Sequence, residues 1–162
     1  MTDSFWQPSV EDVIAIHDEI VSEYADTHAG VQRRGEIEYA LDFVAAESVP
    51  MGPETIHEKA FHLLRLLVAG HPFTDAIKRT ALNTVAVFYF LNGYRFKYDD
   101  EIRSICKRFG IDEKSVDQEA TIEYLRSHTE AIEFQDEIER WRVDLVRFGL
   151  DRLTDDSSDP ND

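Results

Sequence analysis

The sequence contains a single cysteine and no long apolar run. Cys106 therefore cannot form a disulfide within the chain, and the lack of a cysteine–histidine cluster argues against a structural zinc site. Spanning a membrane takes about 20 consecutive apolar residues, and residues 1–8 also lack the pattern of a signal peptide. We therefore expect a cytoplasmic protein with no membrane partner.

Positive charge is also scarce, because 17 basic residues face 33 acidic ones and the net charge is −16. A surface this negative repels nucleic acid, so we expect no direct nucleic-acid partner. The acidic residues are spread along the chain and few of the basic residues are lysine, which resembles the composition of salt-accumulating halophiles. We expect a halophilic protein whose charges are screened by high salt; the alternative is an acidic protein with a basic partner.

Apolar spacing predicts a helical fold. Residues 54–69 have apolar positions at helical intervals and end at Gly70, a residue suited to the left-handed position after a helix. Residues 77–92 contain the stretch 85–91, which is apolar on all sides and indicates a buried helix. We expect an all-α bundle around this central helix.

The segments before and after the central helix fit this fold class. Ser9 and Asp12 have the spacing of a capping box, and residues 35–46 have the apolar pattern of a second helix. Residues 94–98 alternate enough to predict a short extended segment, and the next helix is expected to stop at Gly110. The domain organisation that we expect is a single domain over 1–153, with its core at about 9–110 and additional C-terminal helices over 115–153, followed by a disordered acidic tail over 154–162.

Histidines elsewhere in the chain are better explained as structural residues than as ligands. His17 lies on the apolar face of the first predicted helix, where a histidine is usually a hydrogen-bonded core residue. His57 and His62 are five positions apart, which is poor spacing for a shared metal ion on one helix face.

The stretch 71–80 collects most of the plausible chemistry, between two predicted helices. A helix N-terminus presents unpaired backbone N–H groups, and Lys78 and Arg79 add two positive charges, so the site suits phosphate. Asp75 could cap the helix or hold a magnesium ion beside bound phosphates. His71 is the group whose type titrates near neutrality, as a general base requires.

Residues 71–83 resemble the signature of the Fic/Doc family in its death-on-curing (Doc) form, H-x-F-x-(D/N)-(A/G)-N-K-R followed by T-A. The resemblance extends to residues 13–24, 30–41 and 88–96, so it covers about two thirds of the chain. One position departs from the signature, because Ile77 stands where the family has asparagine.

The resemblance implies a Fic/Doc-like fold and a role for each motif residue. His71 would be the base that takes a proton from a target hydroxyl, and Asp75 would bind Mg²⁺. Lys78 and Arg79 would bind the phosphates of ATP, together with the backbone amides of Ala76 and Ile77. The family asparagine also donates to phosphate, and losing one such donor costs on the order of 10²–10³ in rate.

A Doc-like member would be the toxin of a toxin–antitoxin pair, which transfers the γ-phosphate of ATP to a hydroxyl of a translation elongation factor. The Lys78–Arg79 ending favours this reaction over AMP transfer, since Leu82 and Asn83 stand where AMP-transferring members have a second arginine. AMP transfer to a protein hydroxyl is the first alternative. The second is a catalytically inactive Fic-fold binding module, because of Ile77.

Inhibition is expected from a separate antitoxin. The family's built-in inhibitory element reads (S/T)-x-x-x-E-(G/N), and the two nearest spacings fail at its last position, where Ala120 and Phe134 stand. The partners that the resemblance implies are therefore an antitoxin protein and, as substrate, the elongation factor.

Overall fold

α-Helices make up most of the structure. The computed structural model describes residues 5–24, 26–45 and 55–155, without the side chains of 145 and 148–155. In chain order its elements are α1 (Val10–Glu23), α2 (Arg34–Ala45), α3 (Ile56–Ala69), α4 (Ile77–Leu91), β1 (Tyr94–Phe96), α5 (Glu101–Ile111), a 3₁₀ turn (Glu113–Ser115), α6 (Gln118–Ser127), β2 (Thr129–Ala131) and α7 (Phe134–Asp155). The predicted all-α class is confirmed.

The chain divides into two compact units, residues Met1–Glu130 and residues Ala131–Asp162. The first unit contains α1 to α6, and the second contains α7. The single domain predicted over 1–153 stays a prediction. Of the tail predicted over 154–162, the first two residues belong to α7 and the others lie outside the described residues.

Helix α4 lies at the centre of the first unit, where it packs on α3 and α1. Val85, Phe88 and Tyr89 on this helix are completely buried. The expectation that the whole stretch 85–91 is buried was wrong, since Phe90 and Leu91 are each more than two fifths exposed. An apolar stretch does not reveal which side of a helix its neighbours cover, and here they leave the last turn open.

The capping box at the start of α1 is confirmed. The Ser9 hydroxyl accepts from the Asp12 N–H at 3.1 Å, and the Asp12 carboxylate accepts from the Ser9 N–H at 2.9 Å. Two backbone groups that a helix start leaves without a partner are thus satisfied. The helix then buries Val13, His17 and Ile20 against the core.

Two predicted glycine positions differ in the structure. Gly70 keeps right-handed angles (φ −72°, ψ −16°), and the left-handed turn occurs one residue later, at His71 (φ 46°). A β-carbon at Gly70 would lie 2.8 Å from the Leu66 carbonyl oxygen, so close approach explains this glycine better than backbone angle. Gly110 does not stop α5, which continues through it to Ile111.

Beyond α4 the chain forms more separate helices and strands than predicted. The extended segment expected over 94–98 is present as β1, which pairs with β2. The C-terminal helices predicted over 115–153 are α6, which follows the 3₁₀ turn, and α7, which begins only after β2. None of the described helices is long and apolar enough to cross a bilayer.

Candidate functional site at the start of the central helix

The connection between α3 and α4 is held against the segment that precedes α2. The Pro72 carbonyl accepts from the N–H groups of Gln32 and Arg33, at 2.8 and 3.0 Å. The Thr74 N–H donates to the Gly30 carbonyl at 3.1 Å, and Val31 pairs with Phe73 as an antiparallel bridge. Three residues of the loop are therefore fixed by backbone contacts to a part of the chain some 40 positions away.

Helix α1 supports the same loop from its other side. The His17 ring is fully buried and stacks on the Phe73 ring, with centroids 3.9 Å apart and planes 5° from parallel. His17 Nε2 lies 3.0 Å from the carbonyl oxygen of Asp75. The structural role predicted for His17 thus takes the form of contacts with the candidate site itself.

At the helix start, Ala76 adopts left-handed angles (φ 56°, ψ 28°) and makes no side-chain capping bond. Its N–H donates to Asp75 Oδ1 at 2.8 Å, and its carbonyl accepts from Thr80 N–H, the first bond of the helical ladder. The amides of residues 77–79 precede that ladder, as expected for the first turn of an α-helix. Asp75 bonds to the adjacent amide instead of capping the first turn.

The two cations of the first turn are both exposed and lie over different neighbours. The Arg79 guanidinium carbon lies 3.9 Å from the centroid of the Tyr24 ring, a close cation–π contact. Lys78 extends toward α5, where a β-carbon built at Gly110 would lie 3.8 Å from Lys78 Cε. Burial raises the pKa of Cys106 in α5 to about 11, and the charge of Lys78 opposes that rise.

Five of the six predicted site residues line one open cavity of about 590 Å³. This volume is typical of small-molecule sites. Sequence reasoning missed the other lining residues, which come from the turn after α1 and from the loop. The complete lining among the described residues is Asp26, Thr27, Thr74, Asp75, Ala76, Ile77, Lys78 and Arg79.

His71 is the predicted site residue that this lining does not include. Its side chain is exposed at the start of the loop, where the backbone is in the left-handed region (φ 46°). A residue with a β-carbon seldom adopts that conformation, and such strain persists where surrounding contacts hold it. The structure therefore separates an exposed imidazole from a cavity that carries the charges.

The side chain of Ile77 has no hydrogen-bonding group to offer the cavity. Its side chain is half-buried and packs against the hydrophobic core while also lining the site. The backbone N–H of Ile77 remains in the first turn, so only a side-chain donor is missing relative to the family signature.

The cavity contains two carboxylates, those of Asp26 and Asp75. No group of three or more histidine, cysteine or acidic side chains suited to a metal ion occurs in the described part of the chain. Mg²⁺ in nucleotide sites is commonly held by one or two carboxylates and completed by substrate phosphates and water. The donor set therefore fits a magnesium ion that enters with a nucleotide.

The other histidines of α3 make hydrogen bonds with their neighbours. His57 Nδ1 lies 2.9 Å from the Tyr89 hydroxyl, and burial lowers the pKa of His57. His62 Nδ1 accepts from Arg65, and burial together with the Arg65 charge lowers the pKa of His62 to about 4. Neither contact resembles a metal site.

Comparison with known proteins adds one match. The family model described as Fic/DOC family matches residues 7–89, slightly more than half of the chain. These residues include every described residue of the cavity lining and extend from before α1 nearly to the end of α4. A search of the curated proteins found no match.

Proposed function

Because this chain belongs to the Fic/DOC family, we propose that it transfers a phosphate-containing group from ATP to a protein hydroxyl. The observation that carries the proposal is the cavity at the start of α4, where Asp75, two cations and the first-turn amides meet. Phosphoryl transfer requires mainly positioning and electrostatic stabilisation, and these groups supply both.

The phosphates would bind at the first turn of α4. There the amides of residues 77–79 and the helix dipole favour negative charge, and Lys78 and Arg79 add two full positive charges. The stack of Arg79 on Tyr24 limits the freedom of the guanidinium before any ligand arrives. Asp75 would hold Mg²⁺, which neutralises phosphate charge when it is bound.

His71 would act on the second substrate. Its exposed position outside the cavity lining suits a base that meets a hydroxyl presented by another protein. That hydroxyl oxygen would attack the γ-phosphorus while the bond to the β,γ-bridging oxygen breaks. ADP would leave, and the hydroxyl proton would pass to a His71 ring nitrogen.

Within the family, the Doc-like reaction is our first choice. The Lys78–Arg79 ending and the absence of a second arginine at Leu82 and Asn83 support transfer of the γ-phosphate. The target would then be a translation elongation factor, and a separate antitoxin would inhibit the enzyme. If the nucleotide binds in the other direction, the same hydroxyl attacks the α-phosphorus, AMP is transferred and pyrophosphate leaves.

The test is a transfer assay in high salt, which screens the net charge of −16. Purified protein, ATP and Mg²⁺ are mixed with an elongation factor from a halophile, and the intact mass of that factor is measured. A phosphate-sized gain that His71→Ala abolishes and His28→Ala preserves supports the kinase reaction; His28 is exposed and outside the cavity lining. A nucleotide-sized gain supports AMP transfer.

Ile77 motivates the remaining candidate, a binding module without turnover. In that case the native chain binds ATP but transfers nothing. Ile77→Asn restores the missing donor, and a gain of transfer in that variant alone would show that one side chain separates binding from catalysis. Absence of ATP binding in both proteins would contradict the proposed nucleotide site.

A further inference from the structure

His17 makes its two contacts on the cavity loop across 58 positions of sequence. Its ring stacks on Phe73 at 3.9 Å, and its Nε2 lies 3.0 Å from the Asp75 carbonyl oxygen. A carbonyl oxygen can only accept a hydrogen bond, so Nε2 carries the hydrogen and donates it. The second ring nitrogen is Nδ1.

No group in the described part of the chain forms a hydrogen bond with that second nitrogen. Nδ1 is buried and has no hydrogen-bond partner among the described residues; the Asp18 carboxylate is 3.6 Å away. A buried polar atom without a partner is unfavourable, and a phenylalanine would fill the same space and stack on Phe73 without it. The contact that phenylalanine could not make is the bond to the Asp75 carbonyl.

That bond fixes the orientation of the peptide that joins Asp75 to Ala76. In a trans peptide the C=O and N–H groups point in opposite directions. His17 holds the carbonyl toward α1, and on the other side the Ala76 N–H bonds to the Asp75 carboxylate, which lines the cavity. The peptide therefore directs its N–H to a carboxylate of the cavity lining.

Without His17 the opposite orientation would gain one advantage over the native state. Rotation of this peptide by about half a turn would change φ of Ala76 from 56° to a negative value, which relieves the left-handed strain. It would also break the bond from the Ala76 N–H to the Asp75 carboxylate, so Asp75 would lose the contact that orients its side chain in the cavity. The bond from His17 opposes that rotation.

We propose that His17 is a positioning residue: its bond from Nε2 to the Asp75 carbonyl holds the Asp75–Ala76 peptide with its N–H directed to the Asp75 carboxylate, which lines the phosphate cavity. The inference rests on the proposed function in one respect, namely that the anion in the cavity is the phosphate of a nucleotide. The orientation of the peptide itself does not depend on that function.

Two substitutions separate the hydrogen bond from the ring. His17→Phe retains the stack on Phe73 and loses the donor, whereas His17→Gln loses the stack and places an amide donor at a similar reach. We expect His17→Phe to weaken ATP–Mg²⁺ binding by about tenfold in calorimetry at high salt, and His17→Gln to stay within about threefold of the native chain. Equal losses in the two variants would overturn the proposal, since a donor at position 17 would then restore no affinity.

A matched control is His57→Phe in α3, which removes a histidine hydrogen bond to the Tyr89 hydroxyl. We expect this variant to melt at a lower temperature than the native protein and to bind ATP–Mg²⁺ with native affinity. A loss of affinity as large as that of His17→Phe would show that any buried histidine bond acts through general stability.

The crystal structure of His17→Phe provides a readout that is independent of nucleotide binding. We expect the Asp75–Ala76 peptide to be rotated in that variant, with a negative φ at Ala76, and to keep its native orientation in His17→Gln. An unrotated peptide in His17→Phe would overturn the inference. If the native chain does not bind ATP–Mg²⁺, the proposed nucleotide site fails, and the peptide orientations alone decide the role of His17.

Discussion

A side chain caps the C-terminal end of α4, whereas no side chain caps its N-terminal end. The Asn92 amide group donates to the carbonyls of Phe88 and Trp6, and the Asn92 side-chain oxygen accepts from the Trp6 N–H, all within 2.7 to 2.9 Å. At the other end no side chain caps the helix at Ala76. Residues 77–79, which include the cations Lys78 and Arg79, line an open cavity there.

Within this one helix, the capped C-terminal end contributes to stability and the uncapped N-terminal end forms the candidate site. Ser9, Thr55 and Asp117 cap the starts of α1, α3 and α6 with side-chain oxygens, so an N-terminal cap is common in this chain. At α4 no side chain caps the first turn, and positive charges stand where the helix dipole disfavours them. Stability and anion binding should therefore respond in opposite directions at this end.

The largest expected effect comes from the double substitution Lys78→Ala and Arg79→Ala. Loss of both charges should weaken ATP–Mg²⁺ binding by about 100-fold, or about 2.7 kcal/mol, as measured by calorimetry. The free energy of unfolding should rise by up to about 1 kcal/mol, because two positive charges leave the positive end of the helix dipole.

The control for this pair is Arg103→Ala with Lys107→Ala, an equal change in net charge at exposed positions of α5. Those residues do not line the cavity. An equal loss of affinity in the control would mean that the overall field of the protein, and not the first turn of α4, attracts the anion.

A substitution at the C-terminal end of α4 should lower the stability of the protein and leave its ATP–Mg²⁺ affinity unchanged. Asn92→Ala removes three hydrogen bonds and should lower the free energy of unfolding by about 2 kcal/mol, or the melting temperature by roughly 4–8 °C. ATP–Mg²⁺ affinity should stay within about twofold of native. Asn92→Asp keeps the acceptor for the Trp6 N–H but sets a negative charge against two carbonyl oxygens at the negative end of the helix dipole, so it should lose at least as much stability. A large loss of affinity in either variant would contradict the separation.

The free energy of unfolding should fall in acid because of His62, whose pKa is lowered to about 4 by burial and by the Arg65 charge. Between pH 6.5 and 4 the unfolded chain binds more protons at this residue than the folded chain, so stability falls as pH falls through that range. The side chain is partly exposed, so solvent screening reduces the effect to about 1 kcal/mol.

Chemical denaturation of the native chain and of His62→Gln at several pH values measures this effect. Glutamine retains an acceptor for Arg65 but does not titrate, so its curve should be flatter over the same range. His128 contributes with the opposite sign: the Tyr124 carbonyl and Asp99 raise its pKa, so its stabilisation is lost as pH increases above 6.5. Identical pH profiles for both proteins would remove His62 from the explanation.

The smallest expected effect concerns the stack of Tyr24 on Arg79. Tyr24→Leu removes the ring face beneath the guanidinium and should weaken ATP–Mg²⁺ binding two- to fivefold, or about 0.5–1 kcal/mol. Tyr24→Phe retains a ring and should bind nearly as the native chain does. If phenylalanine is as harmful as leucine, the hydroxyl of Tyr24 and not its ring supports the site.

Much of the fold followed from local pattern. The capping box at Ser9, the apolar spacing of α3 and α4, and the extended segment after α4 depend on neighbours within a few positions, which a sequence displays directly. The stop predicted at Gly110 failed, because a glycine permits a helix end without requiring one and α5 continues through it. At Gly70 the reason for glycine is the close Leu66 carbonyl, which only the folded chain shows.

The sequence motif predicted those residues of the candidate site that are consecutive in the chain. Asp75 to Arg79 share one turn of backbone, so their order in the sequence already placed them together. Asp26, Thr27 and Tyr24 come from the end of α1 and reach the cavity only through tertiary packing. Of these three, only Tyr24 lies within residues 13–24, where the sequence resembles the family. Periodicity correctly gave His17 a buried face but could not show that the face meets Asp75.

The bond between His17 and Asp75 joins parts of the chain that are made 58 residues apart. A ribosome releases α1 long before the first turn of α4 exists, and the loop acquires its shape only when the two have docked. An incomplete chain, or one whose N-terminal helix has been cut away by a protease, would therefore lack the oriented peptide. The shape of the cavity loop thus depends on a chain that has both α1 and α4 in place.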